Sequence, residues 1–100
     1  MQTAIALVVA AILEVGGDAL TRMGLRERPV FLAAGALTLF IYGVVVNQGH
    51  FDFGRLMGVY IAVFFLVSQI VAFAFFRDVP NYKTLAGGLL IVLGGAVIML

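Results

Sequence analysis

Residues 56–76 read LMGVYIAVFFLVSQIVAFAFF, an apolar run without a single charge. A helix needs about 20 mostly apolar residues to cross the roughly 30 Å hydrocarbon core of a bilayer, and this run supplies them. The apolar positions are continuous rather than alternating, so the run lacks the in-out period of a membrane β-strand. A helix also satisfies its own backbone hydrogen bonds, which lipid cannot do for it.

Three more runs of the same kind flank it, at about 3–21, 30–46 and 84–100. Arg22, Arg26, Glu27, Arg28 and Pro29 separate the first from the second. Asn47, Gln48, His50, Asp52 and Arg55 separate the second from the third, and Arg77, Asp78, Pro80, Asn81 and Lys83 separate the third from the fourth. The expected fold is an all-α membrane protein: four transmembrane helices with short loops, forming one compact domain over residues 1–100 with no second domain and no linker. The totals agree. The chain is 64% hydrophobic and 11% charged, with a mean hydropathy of +1.20, against about 45–50% and 25% in soluble domains. A chain of 100 residues has too little interior to hide that much apolar surface from water. The amino terminus carries no basic residue, and Glu14 interrupts its apolar run, so it reads as a retained helix rather than a cleaved leader.

The same composition removes several function classes. With no cysteine there is neither a disulfide framework nor a thiolate metal site, and the single histidine, His50, cannot hold a metal alone. No nucleophile-and-base set and no phosphate-binding loop can be nominated, so no enzyme, cofactor or metal is expected. The basic residues are too few and too scattered for a nucleic-acid surface.

Their placement carries information about orientation instead. Arg22, Arg26, Arg28, Arg77 and Lys83 fall on one side of the membrane and Arg55 alone on the other. Basic loops stay cytoplasmic, so loops one and three are expected inside, with both termini outside, in a cell (inner) membrane.

Glu14 is the residue expected to carry chemistry. It lies near the centre of the first span, where a carboxylate costs about 3 kcal/mol by insertion scales and by default marks a functional site. In a low dielectric the neutral form of a carboxyl gains on the charged form, so such a group can take up and release a proton. Packing against a neighbouring helix as a protonated side chain is the plainer alternative. Asp18 and Arg22 follow at intervals of four, on the same helical face. Asp18 either pairs with Arg22 at the membrane edge or lines the path to Glu14, and the two readings are compatible. Gly16 and Gly17 flank this face and leave room for a helix or a ligand. Tyr60 and Tyr42 offer ring faces and hydroxyls inside the spans, while Ser68 and Gln69 read as interhelical glue. In the fourth run Gly87 and Gly94, and Gly88 and Gly95, recur at seven residues. They read as one small-residue stripe, expected to pack between two chains. The extramembrane residues His50, Asp52 and Arg55 read as a solvated loop.

The segment from Ala11 to Arg22, with Glu14 at its centre, resembles the first helix of the small multidrug resistance transporters, within the drug/metabolite transporter group. The heptad glycines Gly87 and Gly94 and the turn after Phe75 and Phe76 match that family too. The resemblance implies a homodimer that exports small cationic, often aromatic or guanidinium, compounds in exchange for protons. A Glu14 from each subunit would bind protons or substrate, and the proton gradient would stand in place of a cofactor. Two features depart from the pattern. The family's third helix carries a Tyr-Ala-x-Trp stretch; here Met57-Gly58-Val59-Tyr60 stands there, the chain has no tryptophan, and Gly58-Val59-Tyr60 resembles the YnfA-like proteins instead. Family members of balanced loop charge pair antiparallel, whereas five basic residues against one favour a parallel homodimer.

Overall fold

The computed structural model describes residues 2–49 and 52–100, and their side chains from residue 4 onward. Four helices follow in order: α1 (Gln2–Arg26), α2 (Val30–Val46), α3 (Phe53–Phe76) and α4 (Tyr82–Met99). Among the described residues there is no strand. Helices α1, α3 and α4 are each long and apolar enough to cross a membrane. At 17 residues, α2 stands at the short end of the range that spans a bilayer, about 17–25 residues. The chain is a multi-pass, all-helical membrane protein.

Two helices run past the ends that their charges suggest. Arg22 and Arg26 belong to α1 rather than to the connection after it. Arginine is a good helix former, and its long stem lets the charge reach the interface from inside a helix. What stops α1 is Pro29, which disfavours helical backbone at the residue before it. Likewise α3 takes in Gly54 and Arg55. Its far end closes on Arg77 in the left-handed region (φ 54°), with the Asp78 amide donating to the Ala72 carbonyl at 3.0 Å, a C-terminal cap of the Schellman kind. The Asn81 side chain caps α4 by accepting from the Thr84 amide at 2.9 Å, satisfying one of that end's unpaired donors.

The contacts divide the chain into two units, residues 1–49 and 50–100, each a hairpin of antiparallel helices. In the first, α1 and α2 meet at glycines. A Cβ on Gly35 would lie 2.6 Å from the Thr21 hydroxyl and 2.9 Å from the Gly17 carbonyl oxygen; one on Gly17 would meet Leu39 at 2.7 Å, and one on Gly24 would meet Leu32 at 2.7 Å. Small residues let helices approach until backbone touches backbone, which is how membrane helices gain packing without a hydrophobic driving force between them. In the second hairpin a Cβ on Gly58 would meet Ile98 at 2.5 Å, one on Gly95 would meet Ala62 at 2.5 Å, and one on Gly88 would run into the Phe65 ring. The Arg55 guanidinium closes this hairpin by donating to the Met99 carbonyl at 3.0 Å, a cation on the negative end of α4.

Three hydroxyls within the spans turn to their own helix. Thr21 donates to the Gly17 carbonyl and Thr38 to that of Ala34, both at 2.8 Å. Ser68 donates to the Phe65 carbonyl at 2.7 Å, so its hydroxyl serves α3 itself rather than bridging helices. No buried side-chain polar atom among the described residues lacks a partner.

These seams make a stability prediction. Gly35→Ala places its methyl against backbone that cannot move aside, and overpacking of that kind costs about 1–3 kcal/mol. Gly43→Ala enters open space and gains helix propensity. Thermal unfolding in detergent should fall for the first and hold or rise for the second; equal melting temperatures would refute the seam.

Candidate functional site

Glu14 is the middle residue of α1, so it lies at the centre of the longest helix of the chain. It is half-buried and engaged in an interaction within the chain. Its surroundings follow from the hairpin register. Gly24 meets Leu32, Thr21 meets Gly35 and Gly17 meets Leu39, so a step down α1 is matched by an equal step up α2. One further step of three on each helix brings Glu14 level with Tyr42. By periodicity Tyr42 also shares the face of α2 that carries Gly35, since seven residues return within about 20° of the same direction. Tyr42 is half-buried and, like Glu14, engaged. The close approach at Gly17 and Gly35 thus fixes a tyrosine at the level of the central carboxyl.

Asp18 and Arg22 continue from Glu14 along α1, and both are exposed. The paired glycines divide: Gly17 is part of the α2 seam, while Gly16 has nothing near it. Tyr60 belongs to the second hairpin. It is buried, 3% exposed, and its ring lies 6.1 Å from that of Phe64, tilted by 41°.

The fourth-helix glycines also divide. Gly88 and Gly95 are taken up inside the chain by Phe65 and Ala62, whereas Gly87 and Gly94 face open space. Consecutive residues on a helix point about 100° apart, so the single stripe expected of all four is two stripes with different neighbours. Arg55 and Asp52 separate in the same way. Arg55 ties α3 to α4, and Asp52 is exposed at the head of α3 without a side-chain cap. His50 lies outside the described residues. No group of three metal-ligating side chains occurs among the described residues. The contacts that sequence reasoning missed are Gly35 with Thr21 and Arg55 with Met99. A glycine inside an otherwise bulky α2 was the available signal for the first; the second had none.

Fold and site together define a small multi-pass membrane protein with an ionisable group at mid-span. Comparison with known proteins places it further. The chain belongs to the family described as "Uncharacterised BCR, YnfA/UPF0060 family", whose profile matches residues 1–100. It is similar to the UPF0060 membrane proteins of Frankia casuarinae (39% identical, covering 92% of this chain and 86% of that one) and Rhodococcus erythropolis (34%, covering 92% and 88%). A third, from Staphylococcus aureus, is 30% identical, covering 93% and 89%. No solved structure matches the chain.

The register of the first hairpin is open to a direct test, since the chain has no cysteine of its own. Cysteines replacing Glu14 and Tyr42 together should form an intramolecular disulfide on mild oxidation, because facing positions on closely packed helices fall within the span of about 4.4–6.8 Å between Cα atoms that the bond requires. Cysteines at Gly16 and Tyr42 should not. Mass spectrometry of the oxidised chain reads both, and a bond in the second pair alone would overturn the register.

Proposed function

We propose that this protein is a proton-coupled exporter of small organic cations that works as a pair of identical chains. The observation that carries the reading is Glu14, a half-buried carboxyl at the midpoint of α1 and level with Tyr42. An ionisable group at that depth is costly and belongs by default to a transport or proton path. One carboxyl cannot be protonated and also be the counter-ion of a cation, so proton and substrate exclude one another at Glu14. That exclusion is the coupling. Tyr42 supplies an aromatic wall that attracts cations by its ring face and a hydroxyl to orient the carboxyl. Asp18, one turn on, leads from the site toward the basic end of the helix. The proton gradient drives the cycle, with no cofactor and no bond chemistry.

The likeness of residues 11–22 to the small multidrug resistance transporters supports the substrate class, and the open faces of Gly87 and Gly94 suit a second chain. In this reading the protein lies in the inner membrane, with the connections after α1 and α3 on the cytoplasmic side.

The test is proton release from detergent-purified protein on adding a panel of guanidinium and quaternary ammonium compounds across a wide range of pH. Wild type should release protons and Glu14→Gln should not. Silence from wild type across that range would sink the export of these cations. It would favour instead a subunit that packs through Glu14, for which the neutral amide of Gln serves as well.

A further inference from the structure

Helix α2 rests on α1 through one glycine. The atoms nearest to where a Cβ on Gly35 would stand are the Thr21 hydroxyl oxygen at 2.6 Å, the Gly17 carbonyl oxygen at 2.9 Å and the Thr21 amide nitrogen at 3.0 Å. All three are polar, and the hydroxyl is the closest. That hydroxyl donates to the Gly17 carbonyl at 2.8 Å. Its oxygen therefore turns lone pairs, not a proton, toward Gly35. A glycine Cα–H is the weak donor that such an oxygen meets at helix–helix contacts.

The contact stands at a fixed distance from Glu14. On α1, Glu14 is seven residues before Thr21; on α2, Tyr42 is seven residues after Gly35. Seven residues are about 10.5 Å of helix and return within about 20° of the same direction. The two helices are thus equal arms about the Thr21–Gly35 contact, with Glu14 and Tyr42 level at the far ends. The seam continues one step beyond them, where Ala10 and Val46 are both buried. A tilt of about 6° at the contact moves ends that far away by about 1 Å, and a misplacement of that size can cost a site about a hundredfold. We propose that Thr21 is a positioning residue for Glu14: its hydroxyl oxygen sets the spacing of α1 and α2 at Gly35 and so holds the carboxyl level with Tyr42. The effect on geometry belongs to this hairpin alone, and the effect on cation binding rests on the exporter reading.

Two substitutions separate the hydroxyl from the bulk of the side chain. Thr21→Val keeps the shape but puts a methyl group where the hydroxyl stands. A methyl is larger than a hydroxyl oxygen and accepts no hydrogen bond, and Gly35 has no side chain to yield, so backbone must move. Thr21→Ser keeps the oxygen and removes the methyl, which is not among the atoms nearest to Gly35. A residue that only filled space would give the opposite order, with the smaller serine worse than valine.

The test has two arms. The first combines Glu14→Cys with Tyr42→Cys and follows disulfide formation on mild oxidation of detergent-purified protein by mass spectrometry. Thr21→Ser should form the bond as fast as native Thr21, and Thr21→Val about tenfold more slowly, inside the range that a shift of about 1 Å produces. Equal rates for valine and threonine, serine slower than valine, or no bond with native Thr21 overturn the proposal. The second arm keeps Glu14 and Tyr42 and measures the concentration of each guanidinium or quaternary ammonium compound that gives half-maximal proton release. It should rise about tenfold for Thr21→Val and return to the native value for Thr21→Ser. Added to Tyr42→Ala, Thr21→Val should raise it no further, because residues that act as one unit do not add; additive losses overturn the positioning role. Silence of the native chain toward every compound, with the Thr21→Val disulfide still slowed, sinks the exporter and sustains the positioning of Glu14.

Discussion

Hydrocarbon offers no hydrogen bonds, and that single constraint orders the molecule. It forces the backbone into helices and turns Thr21, Thr38 and Ser68 back onto carbonyls of their own helices. It also makes the ionisable residues of α1 conspicuous. A soluble domain could carry Glu14, Asp18 and Arg22 on a wet face at no cost. Inside a span each must be matched, and the ways in which they are matched separate a packing role from a transporting one.

Close approach of the helices makes the matching possible. Between Gly17 and Gly35 there is no room for a methyl group, so α1 and α2 pack backbone against backbone. Their register is thereby fixed to one arrangement, with Tyr42 level with Glu14. The second hairpin repeats the device with different residues: Gly58, Gly88 and Gly95 receive Ile98, Phe65 and Ala62, and Arg55 holds the open end. Each hairpin thus has an interlock of its own.

Much of this was legible in the sequence. Largely apolar runs of about 20 residues have one physical solution in a bilayer, so the four helices were readable and the bounds of α2 coincide with those expected. The helix ends were less so. Arg22 and Arg26 read as a stop, yet a charge near an interface is compatible with a helix that continues. The glycines show where reading along a chain fails. Gly87 and Gly88 are neighbours in sequence but point about 100° apart, and only the position of α3 reveals which of them is already occupied. The Glu14 and Tyr42 register was hidden for the same reason, because it depends on where two helices touch.

Asp18 is best understood against Glu14. The two share a side-chain chemistry, a helix and nearly a face, and differ in one respect: Glu14 is half-buried and engaged within its chain, whereas Asp18 is open. Burial inside one chain suits a group that must exchange ligands, since the protein sets its surroundings and can change them.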